Sequence, residues 1–370
     1  MARILHTADW QIGRQYSRFE VEDAVVLAAA RTSTVEKIAA LAAVENVDAV
    51  LVAGDVFDAQ GVSELTIRRL FNATSAFTGP WIMLPGNHDA ALAESVWDRA
   101  ERIGAIPANV HVIKEPGVLV LEEQGIAVLG APLTQRQTYD DLTAWFDSAQ
   151  TPAGLLRVGL AHGSVQGLLH EDVDSHNPIA ADRAATAHLD YLALGDWHGF
   201  KQVDQRTVYS GTPEPDRFKD NGAGQVVLVD LPASGEPSVL STRQVGQFTW
   251  LQWSAQLEVA SDLDVLIERL QELEPNSVLS LKVSGQTDLA GQARLQRALA
   301  VAQARCRSVD CDVKDLRLEP TDEDIAALSA DGYLGDVIAE LRDREGDSPV
   351  AKDALVLLAS LLSKDAEVQA

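Results

Sequence analysis

Three short apolar runs open the chain, and each stops on a polar block. Arg3-Ile4-Leu5 leads into Thr7-Ala8-Asp9-Trp10-Gln11-Ile12-Gly13, Ala49-Val50-Leu51-Val52 into Ala53-Gly54-Asp55-Val56-Phe57-Asp58, and Trp81-Ile82-Met83-Leu84 into Pro85-Gly86-Asn87-His88-Asp89. The runs have the length of buried strands. Between them the apolar positions take a helical period. Phe19 to about Ala42 predicts a helix with Val21, Val25, Leu27, Val35, Ile38 and Leu41 on its apolar side. Ser63 as an N-cap before Glu64 predicts another helix through Phe71, and a third is expected around 91–103. This β-α-β-α-β rhythm predicts a mainly parallel sheet, in which polar groups collect at the carboxyl ends of strands.

From residue 110 the pattern shortens. Segments 110–113, 117–122 and 125–130, separated by Pro-Gly and Gln-Gly, are expected to be adjacent antiparallel strands, and 139–148 a helix. Leu155 to Ala161 ends in His162-Gly163, and Asp190 to Leu194 ends in Gly195-Asp196-Trp197-His198-Gly199. Val208 to Glu214 and a closing strand from Gln225 to Leu231 complete this half. Pro232 to Pro237 has linker composition. Beyond it, strands at 247–257, 277–284 and 309–318 alternate with helices at 261–273 and 288–305. Thr321 with Asp324 resembles a capping box for a helix at 322–329, and helices at 333–345 and 349–364 end the chain. The expected domains are 1–235, a small α/β domain at 240–320, and C-terminal helices at 321–370.

Composition narrows the class. The 370 residues are 46% hydrophobic and 23% charged, ordinary for a globular protein, and no apolar run approaches the roughly 18 residues that span a bilayer. Cys306 and Cys311 are the only cysteines and have no histidine pair nearby, so reduced thiols and a cytoplasmic setting are expected. The net charge of −25 is spread along the chain, with 17 basic and 32 acidic residues before position 241. A protein that grips nucleic acid by itself usually carries a basic face. Either the substrate is no long polyanion, or another subunit supplies most of the grip.

The strand-end groups Asp9, Gln11, Asp55, Asn87, His88, His162, Asp196 and His198 form an oxygen-rich set suited to two divalent ions. Two such ions about 3.5–4 Å apart lower the pKa of a bound water and spread charge during in-line attack at phosphorus. Taken singly, Asp9, Asp55 and Asn87 read better as helix caps after strands. Together with His162 and His198 they read as a site. Asp58 and Asp89 are expected to orient ligands rather than bind metal. His6 is expected to be a core histidine.

The order of the polar blocks resembles the calcineurin-like metallophosphoesterases, whose motifs run Asp-x-His, Gly-Asp-x-x-Asp, Gly-Asn-His-Asp, a lone His-Gly and Gly-His-x-His. Within residues 3 to about 231, His6-Thr7-Ala8-Asp9-Trp10 and Tyr209-Ser210-Gly211-Thr212-Pro213-Glu214 are similar to the SbcD-type DNA repair nucleases. The resemblance implies a four-layer αββα sandwich of two mixed sheets flanked by helices, then a small α/β capping domain and a C-terminal helical segment. It implies Asp55 as the bridge between two metals, Asp9 and His198 on the first with Gln11 in place of histidine, and Asn87 and His162 on the second with Asp196 in place of histidine. His88 becomes the phosphate contact or proton donor, working with Asp55 at the catalytic centre. More oxygen and less nitrogen favours Mn²⁺, or Mg²⁺, with the first site the weaker.

The resemblance also implies a substrate and partners. It points to a Mn-dependent exonuclease or endonuclease subunit that hydrolyses DNA by metal-activated water, alongside an SbcC-type coiled-coil ATPase docked on the C-terminal helices. Arg14 and Arg217, which flank motifs, are the expected phosphate contacts, and a homodimer is left open. Two other readings stand beside it: a phosphodiesterase of small nucleotides, which suits the acidic surface, and a weakly catalytic metal-binding scaffold.

Overall fold

In the computed structural model, residues 1–167, 176–319, 321, 333–345, 348, 350–351 and 353–358 are described. The chain packs as two compact units, Met1–Phe248 and Thr249–Ala370.

The first unit begins with β1 (Ala2–Thr7), α1 (Val21–Val44), β2 (Ala49–Val52), α2 (Glu64–Ala73), β3 (Trp81–Met83), α3 (Val96–Arg102) and β4 (Val110–Val112). It continues through β5 (Gly117–Leu121), β6 (Ile126–Ala131), β7 (Leu156–His162), β8 (Ser164–Val165), β9 (Pro178–Ile179) and α4 (Arg183–Thr186). The last strands are β10 (Tyr191–Gly195), β11 (Lys201–Gln202), β12 (Thr207–Tyr209), β13 (Gln225–Leu231) and β14 (Val239–Gln244). They form two six-stranded mixed sheets, ordered β14-β13-β1-β2-β3-β4 and β11-β12-β10-β7-β6-β5.

Strand periodicity explains the layering, because alternate side chains leave opposite faces of a sheet. Ile4, Leu51 and Ile82 of the first sheet pack with Val128, Val158, Leu160 and Ala193 of the second, forming a core between the sheets. Leu5, Val50, Val52 and Met83 point the other way and meet Val35, Ile38, Ile67, Leu70 and Trp97 from the helices. On the far side, Leu129, Leu192 and Leu194 pack on Phe146 and Ala184. The result is the expected helix–sheet–sheet–helix sandwich.

Several local expectations are corrected. α1 starts at Val21, and Val21 and Val25 are exposed, while the helix buries Arg31 and Thr34 instead. α3 starts only at Val96, because Ser95 and Asp98 close a capping box there and 91–95 is loop. Segment 110–113 does not join the next two strands: β4 lies parallel to β3 in the first sheet, and β5 and β6 form an antiparallel pair in the second. Residues 139–148 hold one 3-10 turn at Ala144–Ser148, since the Asp141 carboxylate accepts Thr143 N–H at 2.8 Å and ends regular helix before it forms. Residues 232–237 are the turn of a hairpin joining β13 to β14, an edge strand whose mostly exposed positions hide it from hydrophobic patterning.

The second unit holds β15 (Thr249–Leu257), α5 (Ala260–Gln271), β16 (Ser277–Thr287), α6 (Leu289–Arg305), β17 (Ser308–Leu318) and α7 (Tyr333–Glu345). The three strands are parallel, joined by α5 and α6, which pack Leu263, Leu266, Leu270 and Leu295 on Leu279, Leu281 and Val283. Cys306 and Cys311 are both free thiols, and burial pushes that of Cys311 up to about 11. Ile338 of α7 packs against Leu355, flanked by Leu341 and Leu358. The expected helix at 322–329, with its cap partner Asp324, and Leu361 and Leu362 lie outside the described residues. No described helix is long and apolar enough to cross a membrane.

Candidate metal centre

Every strand expected to end on a polar block does so at the same end of the sandwich. The backbone turns sharply at these ends: Asp9, Gln11, Asp55 and Asp196 have φ of 54°, 44°, 52° and 98°. Non-glycine residues rarely hold such angles without support, and they concentrate at functional sites. Here the support is a latch between the first two strand ends, with Asp9 N–H donating to Gly54 O at 3.0 Å and Gln11 N–H to Asp55 O at 2.8 Å. Gly86 has no tolerance for a side chain, since a Cβ there would strike the Asp55 carboxylate and the His162 ring.

The innermost groups are Asp9, Asp55 and His162, all buried, each with a ligand atom within 4.8 Å of the others. His162 Nδ1–H donates to Ala53 O at 2.8 Å, which turns Nε2 toward Asp55 Oδ1 at 3.6 Å and Asp196 Oδ1 at 3.7 Å. The Asn87 carboxamide lies 3.0 Å from His162 Nε2 and 3.1 Å from both Asp55 oxygens. Asp196 N–H donates to the Asp9 carboxylate at 3.2 and 3.3 Å, tying the second sheet to the first. Gln11 Nε2 is 3.5 Å from Asp55 Oδ2 and 3.3 Å from His198 Nε2.

A surrounding layer holds these groups in place. His88 N–H donates to Asp55 Oδ1 at 2.9 Å, and its ring Nδ1–H to Asp58 O at 2.8 Å. Asp89 is buried and accepts N–H from Gly86 at 2.7 Å and Phe57 at 3.1 Å, so it fixes the Asn87 loop and takes no ligand position itself. His198 Nδ1 faces Asp216 Oδ2 at 3.2 Å. Arg217 donates to both Asp216 oxygens at 2.9 and 3.2 Å, with Nη2 2.8 Å from His198 Nδ1. Arg14 and the buried Arg31 approach the same Asp216 oxygen at 3.2 and 3.8 Å. The motif at 209–214 is a brace: Tyr209 O–H donates to Gly163 O, Thr212 O–H to Asp9 O, and Glu214 accepts from Thr34 O–H on α1.

The electrostatics mark a site short of positive charge. Burial, with help from Asp55 and Asp196, raises Asp9 to about 6, against relief from His198 and His162. Burial opposes charge on His162, yet Asp55, Asp9 and Asp196 push it up to about 9. Burial and Asp55 raise Asp89 to about 7. Asp216 is the exception: burial opposes its charge, but hydrogen bonds from His198 and Arg217 and the field of Arg31 hold it well below the usual carboxylate range. Crowded carboxylates that resist ionisation, beside an imidazole nitrogen pointed among them, have the donor chemistry of a divalent-cation site. The residues present fit a divalent cation at Asp9, Asp55 and His162.

All eight strand-end residues named from the sequence converge here. Arg14 and Arg217 reach the same place, each already paired with acids. Asp216 and Arg31 were not singled out from the sequence. The only signals were an acid just past the 209–214 motif and an arginine within an otherwise apolar helix face.

The calcineurin-like phosphoesterase family model matches residues 2–204, more than half of the chain, and the protein belongs to that family of metallophosphoesterases. Two curated relatives are each a subunit, SbcD, of the nuclease SbcCD. That of Bacillus subtilis is 25% identical over 344 residues, covering 80% of this chain and 83% of its own. That of Rhodobacter capsulatus is 34% identical over 291 residues, covering 64% of this chain and 68% of its own. The uncharacterized metallophosphoesterase YhaO of Bacillus subtilis is 24% identical over 240 residues, covering 62% of this chain and 56% of its own.

Proposed function

We propose that this metallophosphoesterase is a Mn²⁺-dependent phosphodiesterase acting on DNA as the nuclease subunit of a repair complex. The observation that carries the DNA reading is a set of cations stacked on aromatic rings beside the site residues of an otherwise acidic protein. Lys201 and Lys219 both lie over the Trp197 ring, at 5.1 and 5.0 Å, between the two site residues Asp196 and His198. Arg18 lies over Phe19 and Phe218 at 5.0 Å from each, next to Arg217. Cations beside aromatic rings next to a phosphoesterase site suit contact with a phosphate backbone. The relatives that are subunits of the nuclease SbcCD support the same reading.

When bound, divalent ions would lower the pKa of a water and neutralise charge developing at phosphorus. Asp55, Asn87, His162 and Asp196 would hold one, and Asp9, His198 and Asp55 the other, with Gln11 the weakest member of the set. The oxygen-rich donors favour Mn²⁺ or Mg²⁺. His88 keeps Nδ1–H on Asp58 O. That leaves Nε2, 3.9 Å from Asp55 Oδ2, as the nitrogen that, in the doubly protonated ring, would give its proton to the leaving oxygen and keep the Nδ1–H in place. The exposed Val350 and Leu357 of the C-terminal segment offer a face to an SbcC-type coiled-coil ATPase, which would supply the remaining DNA affinity.

Incubating the full chain with Mn²⁺, labelled single- and double-stranded DNA, and bis-p-nitrophenyl phosphate tests the proposal. Cleavage of DNA and ester supports it. Cleavage of the ester alone moves the function to small nucleotides, and cleavage of neither leaves a metal-binding scaffold.

A further inference from the structure

The Gln11 side chain is held the wrong way round for a metal ligand. Arg14 Nη1 donates to Gln11 Oε1, the one atom of this side chain with lone pairs to offer a cation. Arg14 is itself fixed from two other segments, by Asp58 at 3.4 Å and Asp216 at 3.2 Å, and its side chain is 26% exposed. With its oxygen committed, Gln11 turns its Nε2 hydrogens inward, toward Asp55 Oδ2 at 3.5 Å and His198 Nε2 at 3.3 Å.

The second contact closes the position further. His198 Nδ1 faces away from the centre, 3.2 Å from Asp216 Oδ2 and 2.8 Å from Arg217 Nη2, which turns Nε2 inward. Nε2 is the nitrogen that His198 would turn to a metal, and it faces the Gln11 amide nitrogen at 3.3 Å instead. Of the four residues expected around the first ion, Gln11 therefore offers a donor hydrogen and His198 has its ligand nitrogen occupied. Asp9 and Asp55 alone remain. At the second position the Asn87 amide also lies against His162 Nε2, at 3.0 Å, and Asp55, but no arginine or lysine holds it among the described residues, so it is free to turn its oxygen to an ion.

We infer that Arg14 acts through Gln11 as a lock on the first metal position, so that the chain loads one divalent ion tightly, and a second only after the Gln11 amide is displaced. This rests on the metallophosphoesterase reading of the centre and explains why the first position is the weaker. Arg14 is thus a positioning residue rather than a phosphate contact.

Mn²⁺ titration of the full chain by calorimetry, followed by electron paramagnetic resonance, reads occupancy without reference to turnover. The expected result for the native chain is one tight ion with the spectrum of an isolated Mn²⁺. Gln11→His should add a second ion bound at least about tenfold more tightly than in the native chain, with an exchange-coupled spectrum. Arg14→Met, which frees the amide without altering a ligand, should strengthen the second ion in the same direction. Two ions of affinity within about threefold in the native chain would overturn the lock. So would an Arg14→Met chain with unchanged stoichiometry and affinity. No Mn²⁺ binding by the native chain, unchanged in Asp55→Ala, would instead sink the metal-centre reading on which the lock depends.

Discussion

Asp216 sits behind His198 with its Oδ2 3.2 Å from Nδ1, and Arg14, Arg31 and Arg217 converge on that carboxylate from three segments. The pair orients the ring, holding Nδ1 outward and Nε2 toward Gln11 and the centre. Asp216→Asn keeps the shape but removes the charge that anchors the His198 ring and its three arginines. The expected result is a loss of about 10–100-fold in kcat or in metal affinity, measured on bis-p-nitrophenyl phosphate with Mn²⁺ titration. Equal Mn²⁺ dependence and turnover in the variant would remove Asp216 from the machinery.

Asp55→Ala should abolish both Mn²⁺ binding and hydrolysis, since Asp55 touches Asn87, His88, His162 and Gln11 at once. The same change should destabilise the metal-free protein, because it strips the buried His162 imidazole and the His88 N–H of their carboxylate partner. Thermal unfolding in chelator checks the second half.

His6 gives a pH dependence independent of metal. Burial lowers it from its ordinary 6.5 to about 3, against a hydrogen bond with the Leu194 backbone that favours the charged form. Below 6.5 the unfolded chain takes up a proton that the folded chain refuses until about 3. The unfolded state binds more protons in that window, so stability falls as pH falls through it, by on the order of 3–5 kcal/mol at the acid end. His6→Gln, which keeps a polar group near Tyr191, should flatten the part of the acid limb seen in urea unfolding at graded pH. An unchanged slope would assign the limb to other groups.

Lys201→Glu with Lys219→Glu reverses charge over Trp197 without touching a proposed ligand. DNA cleavage should fall about tenfold or more and lose part of its salt dependence, while hydrolysis of the small ester holds. Parallel losses on both substrates would count against these cations as phosphate contacts.

Val350→Asp with Leu357→Asp alters two exposed positions and should spare the fold. Loss of binding to a coiled-coil ATPase partner, with ester hydrolysis retained, is the expected pattern. Retained binding would move the docking surface elsewhere.

Much of the sandwich was legible because its strands are short, wholly apolar and stop on chemistry, as β2 does between Asp48 and Asp55. The eight strand-end residues share a site for the same reason. What stayed hidden was set by partners distant in sequence. β14 could not be seen, because an edge strand with mostly exposed positions has no alternation to read. Residues 139–148 carry helical spacing, but Asp141 is claimed by Thr143 and Arg183. Asp216 and Arg31 are ordinary residues until the fold brings them behind His198. The role of Gln11 depended on Arg14, three residues along, and on which end of an amide that arginine would take.

The core between the two sheets has a consequence for the centre that its own residues do not disclose. Asp9, Asp55 and Asn87 ride on one sheet, while His162, Asp196 and His198 ride on the other, and Ile82 packing on that shared layer sets how far apart the two halves stand. A cation gripped from both sides therefore rivets one sheet to the other. Its release should loosen the whole sandwich rather than a loop. By the same token, shaving a methyl from the buried layer, remote from any ligand, should be felt as a change in grip on the ion.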